Sequence, residues 1–182
     1  MEDIILYNNF NIENAVEEED SLKIEGYCAH FNKANLNNEI VTETSFNEFF
    51  SLYNSGKHKP ALNYNHTDQI IGGIDGITKN SEGLFMTAHI NKNVPICEMI
   101  IPNVLKGDIT GLSTEGYIVG GVDGVDFLDD DTYVVKNFLL TAVAVTPTPA
   151  DWAAQFCVKN YLEHNKISKP EPQKRISVLL LL

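Results

Sequence analysis

Ser113 and His66 are the two side chains in this sequence whose types and surroundings suit nucleophilic catalysis. Ser113 lies in ITGLSTEGYI (residues 109–118), a run typical of a β-strand, and His66 follows LNYN at the end of another extended segment. A serine hydroxyl attacks a carbonyl at neutral pH only when a base, usually histidine, removes its proton and hydrogen-bond donors stabilise the oxyanion. We therefore expect chemistry here only if the fold brings the imidazole and the hydroxyl together.

Other catalytic and metal-binding patterns are absent from the sequence. The residues around Ser113 read GLSTEG, which is not the GxSxG elbow of the α/β-hydrolases. Three widely spaced cysteines indicate neither a zinc knuckle nor a disulfide framework, and the acidic loop at residues 121–131 lacks the spacing of calcium ligands. We predict no metal and no cofactor, with a metal-dependent hydrolase as an alternative whose ligands would be His66, Asp68 and His89.

The charge of the chain bears on its partners. The 182 residues carry a formal net charge of −12, and the isoelectric point is about 4.7. Such an acidic surface repels nucleic acids and anionic membranes. The densest apolar run, VLLLL at residues 178–182, is far shorter than the roughly 20 residues that cross a bilayer. We predict neither a nucleic acid nor a membrane as a partner.

Hydrophobic periodicity predicts a strand-rich domain with helices on its faces. Apolar alternation or continuous apolar runs predict strands at residues 3–7, 21–32, 60–66, 70–80, 81–91, 109–121 and 131–147, and a strand or an extended connection at residues 37–46. Helical spacing predicts helices at residues 45–57, 94–108 and 149–165. We predict an α+β fold, a mainly antiparallel closed or half-closed β-barrel with two or three flanking helices, over residues 1–165, followed by a flexible C-terminal tail or linker at residues 166–182.

Local signals refine these elements. Asn80-Ser81-Glu82-Gly83 predicts the turn of a hairpin, and Gly26 a bulge in the strand that contains it. Ser45 and Glu48 have the spacing of a capping box at a helix start. Pro102 predicts a kink or a break in its helix, because proline lacks the N–H that a helix interior needs.

Six segments, in this order along the chain, resemble those of the prohead (capsid maturation) proteases of tailed bacteriophages. This HK97-type family is distantly related to the herpesvirus assemblins, and the resemblance runs from about residue 22 to residue 154. The second segment has Thr44-Ser45-Phe46 where Gly-Ala-Phe is usual in the family, and the third and fifth segments carry the histidine and the serine. The segments are IEGYCAHFN, NEIVTETSF, LNYNHTDQIIGGIDGI, EGLFMTAHI, VLKGDITGLSTEGY and LLTAVAVTPTPADWAA.

The resemblance implies a serine endopeptidase that cleaves capsid and scaffold polypeptides in the host cytoplasm, inside the assembling prohead. It implies an assemblin-like barrel with Ser113 as the nucleophile and His66 as the general base. Gly111 and Gly116 would let backbone N–H groups approach the developing oxyanion. The expected partners are the major capsid protein and the scaffold protein as substrates, and the sequence leaves open self-cleavage and a homo-oligomer.

The resemblance does not assign the third catalytic residue. Assemblins carry a second histidine after the serine, whereas only His164 follows Ser113 here, at the end of the last predicted helix. Many phage relatives carry a glutamate in the closing strand, where residues 140–144 read LTAVA and contain no acid. A Ser–His dyad, or a non-catalytic capsid-assembly or scaffold protein on the same fold, is an alternative. The candidates for orienting His66 are Thr141, Asp68, Asn137 and Asp151.

Overall fold

A curled main sheet and a small second sheet organise the chain. The computed structural model describes residues 17–129, 131–151 and 156–158. The main sheet contains β1 (Glu17–Glu18), β2 (Ser21–His30), β4 (Ala61–Tyr64), β5 (Ile70–Lys79), β6 (Gly83–Asn91), β7 (Gly111–Ile118), β10 (Phe138–Thr146) and β11 (Phe156–Val158). The second sheet contains β3 (Glu39–Val41), β8 (Val125–Phe127) and β9 (Tyr133–Val135). The described helices are α1 (Asn47–Asn54), α2 (Cys97–Lys106) and two 3-10 turns, Glu43–Phe46 and Gly121–Gly124.

The strand order of the main sheet places the two candidate catalytic segments on either side of β10. The order is β1-β2-β6-β5-β4-β10-β7, with β11 added on β2. All pairs are antiparallel except β4 with β10, which is parallel. At the open seam, Cα atoms of β2 and β7 come within 8 Å of one another. The sheet is therefore a half-barrel, and the predicted α+β fold with a half-closed barrel and flanking helices is confirmed.

The core lies inside this curled sheet and under the two helices. Strand β6 alternates buried and half-buried positions from Leu84 to Asn91, as expected for one face on a core. The aromatic spacing predicted for the first helix is present: Phe49 is fully buried, with ring centroids 5.1 Å from Phe50 and 5.4 Å from Tyr53. Each fully buried large apolar side chain stabilises the fold by about 1.5–3 kcal/mol, and the burial of Phe49 therefore helps to hold α1, which packs against β10.

Two local predictions were wrong in position. The bulge in β2 falls between Tyr27 and Ala29, not at Gly26, which pairs regularly with Met86. The capping box joins Thr42 to Ser45 at the 3-10 turn, not Ser45 to Glu48. The reason is tertiary: the Ser45 hydroxyl turns inward to the second sheet, whereas the carboxylate of Glu48 accepts a hydrogen bond from Asn137.

The long strand predicted at residues 131–147 is two strands in different sheets. Strand β9 pairs with β3 and β8, and β10 pairs with β4 and β7. The break falls at Lys136 and Asn137, where backbone hydrogen bonds run to Gly124 (2.8 Å) and Val119 (3.0 Å) instead of along one ladder. Alternation along the sequence does not reveal this change, because both strands are apolar and extended.

The predicted helices at residues 94–108 and 149–165 also differ from the structure. Helix α2 starts at Cys97 and runs unbroken through Pro102 to a left-handed cap at Gly107, so the proline does not split it. The helix at residues 149–165 is wrong over Phe156–Val158, which form β11 and pair with Ile24–Gly26 of β2. An outer strand edge offers unpaired N–H and C=O groups that such a segment satisfies. The predictions for residues 3–7 and for the tail at 166–182 lie outside the described residues, and the domain boundary stays a prediction.

Candidate active site

Ser113 is placed on β7, the edge strand of the half-barrel next to the open seam. Its side chain is 5% exposed, and its register partner on β10 is Ala144. Side chains two apart on a strand point to the same face, so Glu115 shares the face of Ser113. Both residues line one cavity of about 320 Å³.

The glycines that flank Ser113 serve close packing of the backbone. A methyl group at Gly111 would lie 2.6 Å from the carbonyl oxygen of Thr146 and 2.5 Å from the Pro149 ring. At Gly116 it would collide with the backbone of Leu139. These glycines let β7 approach β10 and the segment that follows it, and their expected part in an oxyanion hole stays a prediction.

His66 lies on a tight turn that is fastened to the end of β10. Asn65 and His66, the central residues of the turn from Tyr64 to Thr67, have φ angles of 50° and 57°, and the Thr67 N–H donates to the Tyr64 carbonyl at 3.0 Å. Positive φ is uncommon outside glycine, but asparagine and histidine are enriched there. Backbone strain of this kind clusters at functional sites and persists where the surroundings enforce it.

Two hydrogen bonds to β10 hold this turn in place. The Asn65 N–H donates to the Val145 carbonyl at 3.0 Å, and the Thr146 hydroxyl donates to the Asn65 side-chain carbonyl at 2.8 Å. Val145 and Thr146 also pair with the residues that precede Ser113 on β7. Strand β10 therefore supports both the turn that carries His66, here called the histidine turn, and the strand that carries Ser113. His66 and Ser113 line the same cavity. No hydrogen bond joins their side chains in the part of the chain that the structure describes.

Glu115 is the carboxylate that contacts His66. Its Oε2 lies 3.2 Å from His66 Nδ1 and accepts a second hydrogen bond, also 3.2 Å long, from the Asn63 side-chain amide. An ionised carboxylate only accepts hydrogen bonds, so the ring donates from Nδ1, and in the neutral imidazole Nε2 is then the nitrogen without a proton. Sequence reasoning did not name Glu115. The signal was its position two residues after Ser113 in a predicted strand, which places both on one face.

Three of the four residues that sequence reasoning named as candidates for orienting His66 have other hydrogen-bond partners. The Thr141 hydroxyl donates to the backbone carbonyl of Glu115 at 3.1 Å. Asn137 donates to Glu48 at 2.6 Å, and Asp151 accepts from His30 at 2.8 Å. Asp68 lies in the same loop as His66, with no hydrogen bond to its ring among the described residues.

Residues of β2 and of the segment after β10 also line the cavity. His30 is 6% exposed, and one oxygen of Asp151 lies 2.8 Å from both its backbone nitrogen and its ring Nδ1. Burial and, to a smaller extent, the negative charge of Asp151 raise the pKa of the neighbouring Cys28 thiol to about 12. Because the thiolate is the nucleophilic form of cysteine, Ser113 and not Cys28 is the candidate nucleophile of this cavity.

The ligands suggested for a metal site are not gathered together. His89 is paired with Asp75 at 2.7 Å on the outer part of the sheet, away from the Glu115 contact of His66. Over residues 17–129, 131–151 and 156–158, no group of three or more histidine, cysteine or carboxylate side chains has the geometry of a metal site. Neither described α-helix has the length and apolar composition that would cross a membrane.

One protein family matches the sequence, and the fold is similar to solved structures of viral proteases. Residues 10–167 match the family described as caudovirus prohead serine protease. The fold is similar to the bacteriophage T4 capsid assembly protease, with a TM-score of 0.56 and 14% identity over 68% of this chain and 80% of that chain. It is also similar to the KSHV protease solved with a hexapeptide phosphonate inhibitor, with a TM-score of 0.53 and 12% identity over 82% of this chain and 72% of that chain. No curated protein matches the sequence.

Proposed function

Since this chain belongs to the caudovirus prohead serine protease family, we propose that it matures capsids with Ser113 as the nucleophile and His66 as the general base. That it is a serine protease follows from the family. The assignment of the two residues is supported by one observation above all: both side chains line a single cavity, and the ring of His66 is held through Nδ1, which leaves Nε2 for the serine.

The chemistry follows from these two groups. Nε2 of His66 removes the Ser113 proton while Oγ attacks the scissile carbonyl, and a tetrahedral intermediate forms. The imidazolium then gives the proton to the leaving amine, and the acyl-enzyme remains on Oγ. Water attacks the ester in the second half, with His66 again as the base. Hydrogen bonds in unliganded active sites are often long and tighten on the bound substrate, which accommodates the missing Ser113–His66 hydrogen bond.

The proposed substrates are the major capsid protein and the scaffold protein, cleaved inside the assembling prohead. The cavity of about 320 Å³ is lined by residues of both β2 and β7, and its size suits side chains of an extended polypeptide. A folded domain does not fit a cavity of this size. We therefore expect cleavage in extended segments of capsid or scaffold chains rather than within their folded parts.

The test is cleavage of the phage's own capsid polypeptide by four purified proteins: the wild type, Ser113→Ala, His66→Ala and His89→Ala. His89 is the matched control, because it is 39% exposed where His66 is 41% exposed and it also contacts a carboxylate. We expect Ser113→Ala and His66→Ala to lose at least about 1,000-fold in kcat and His89→Ala to cleave like the wild type. Cleavage by Ser113→Ala at the wild-type rate would overturn the assignment.

A non-catalytic assembly protein on the same fold is the second candidate, and one observation favours it: the absence of a Ser113–His66 hydrogen bond among the described residues. A fluorophosphonate probe separates the two without knowledge of the substrate. The protease forms a covalent adduct on Ser113 that depends on His66. In an assembly protein without activity Ser113 stays unmodified, and the Ser113→Ala control carries no adduct at position 113 in either case.

A further inference from the structure

We propose that Glu115 is the positioning residue for His66, so that the orienting acid comes from the nucleophile's own strand. This inference rests on the proposed function, because it assigns a role to Glu115 only if His66 is the base. The carboxylate contacts His66 Nδ1 at 3.2 Å, the nitrogen opposite the one that must face the serine. Glu115 is a positioning residue and not a catalytic one, since it acts through the imidazole.

The carboxylate of Glu115 is held from a second side. The Asn63 amide donates to the same oxygen that contacts His66, at 3.2 Å. Asn63 is 4% exposed and lies on β4, one strand beyond β10. A buried side chain has few rotamers, because close packing restricts it. Asn63 therefore restrains Glu115 even though Glu115 itself is 44% exposed.

The backbone of Glu115 is held by an irregularity in the neighbouring strand. The ladder between β7 and β10 shifts between Leu140 and Ala142, so that Thr141 is an extra residue on β10. The Thr141 hydroxyl donates to the Glu115 carbonyl at 3.1 Å. Bulges of this kind re-aim side chains next to active sites. Thr141 thus supports the acid and does not act as the third residue itself.

The register explains how an acid on β7 replaces one that the closing strand lacks. Ala142 on β10 is the direct partner of Glu115 on β7, and directly opposite residues of an antiparallel pair project from the same face of the sheet. A carboxylate side chain at position 142 or at position 115 would therefore project from the same part of the sheet, next to the turn that carries His66. In this chain the residue on β10 is a buried alanine, and the acid is on β7.

The contact has two consequences for the imidazole. The hydrogen bond at Nδ1 selects the tautomer with an unprotonated Nε2, which is the form that accepts the serine proton. The negative charge also stabilises the imidazolium that forms during attack. Both effects lower the barrier of the chemical step and leave the binding of the substrate unchanged, so loss of the acid should reduce kcat rather than raise KM.

The experiment measures kcat and KM on the capsid polypeptide for Glu115→Gln, with Asp75→Asn as the matched control. Asp75 is 42% exposed where Glu115 is 44% exposed, and it also contacts a histidine ring, that of His89, so its replacement removes the same charge from the same kind of contact outside the site. We expect Glu115→Gln to lower kcat about 10- to 100-fold, the range of one charge-assisted hydrogen bond. KM should change less than about twofold, and Asp75→Asn should match the wild type.

A double-mutant cycle with His66→Ala shows whether Glu115 acts through the imidazole. The rate of fluorophosphonate labelling of Ser113 is the readout, and it should not fall further when Glu115→Gln is added to His66→Ala. Independent losses in the two backgrounds would overturn the inference, as would a wild-type kcat for Glu115→Gln while Ser113→Ala and His66→Ala are inactive. Cleavage by Ser113→Ala at the wild-type rate is a different result, because it contradicts the proposed function itself.

Discussion

Replacing Asp151 by alanine should destabilise the protein far more than the same change at Asp75, although each carboxylate contacts a histidine ring at almost the same distance. Asp151 lies 2.8 Å from His30, and Asp75 lies 2.7 Å from His89. The difference is burial. His30 is 6% exposed and Asp151 23%, whereas His89 and Asp75 are 39% and 42% exposed. The comparison therefore sets a largely buried carboxylate–histidine contact against an exposed one.

The magnitude follows from the groups that lose a partner. One oxygen of Asp151 contacts both the backbone nitrogen and the ring Nδ1 of His30, each at 2.8 Å. A buried group left without its partner costs about 1–3 kcal/mol, and water entering from the adjoining cavity recovers part of that. We expect Asp151→Ala to lower the free energy of unfolding by about 2–4 kcal/mol. An exposed ion pair contributes about 0–1 kcal/mol, which bounds the effect of Asp75→Ala.

The assay is thermal and urea unfolding of the wild type and the two variants. For a protein of this length, 1 kcal/mol shifts Tm by about 2–4 °C, so Asp151→Ala should lower Tm by about 5–15 °C and Asp75→Ala by less than about 4 °C. Equal shifts for the two variants would refute the reasoning, because they would mean that burial does not strengthen the His30–Asp151 contact.

Two further predictions concern buried polar groups. Ser45 is fully buried, and its hydroxyl donates to the Val135 carbonyl. Ser45→Ala should therefore lower the free energy of unfolding, measured in urea, by about 1–3 kcal/mol. The control is Ser55→Ala: Ser55 is exposed and donates to a carbonyl of its own helix, so its replacement should lower the free energy of unfolding by less than about 0.5 kcal/mol. Iodoacetamide at pH 8 should leave Cys28 intact in the native protein and modify it in denaturant, as peptide mapping can show. The pKa of this thiol is raised from 9.0 to about 12, so the stability it contributes is complete below pH 9 and is lost as the pH rises towards 12. Equal modification of Cys28 with and without denaturant would contradict the prediction that burial protects the thiol.

Local patterns in the sequence predicted the elements whose signals lie within a few residues. The hairpin turn at Asn80–Gly83 is present, because the Asn80 side chain accepts from the N–H of Gly83 within the turn itself. The aromatic spacing of α1 and the stop at Gly107 are also local, since they depend on helical period and on a left-handed cap. The fold class followed from the number and spacing of these elements.

Such local patterns did not predict which strands pair with each other. The Thr141 bulge, the division of residues 131–147 between two sheets and the strand Phe156–Val158 all depend on partners far away in the sequence. An extended apolar segment has the same alternation whichever strand it pairs with. This is also why Glu115 was missed while Thr141 and Asp68 were considered.

The sequence by itself determined the types of residue available for catalysis: Ser113 on an apolar strand, His66 at a strand end, and a family resemblance that names both. Only the tertiary structure decided that the two line one cavity and that Glu115 is the acid beside the imidazole. The physical reason is that β4 and β7 are far apart in the sequence and do not pair with each other in the sheet. They become neighbours of a common strand, β10, only when the sheet assembles, and the register of that assembly selects which carboxylate reaches the ring.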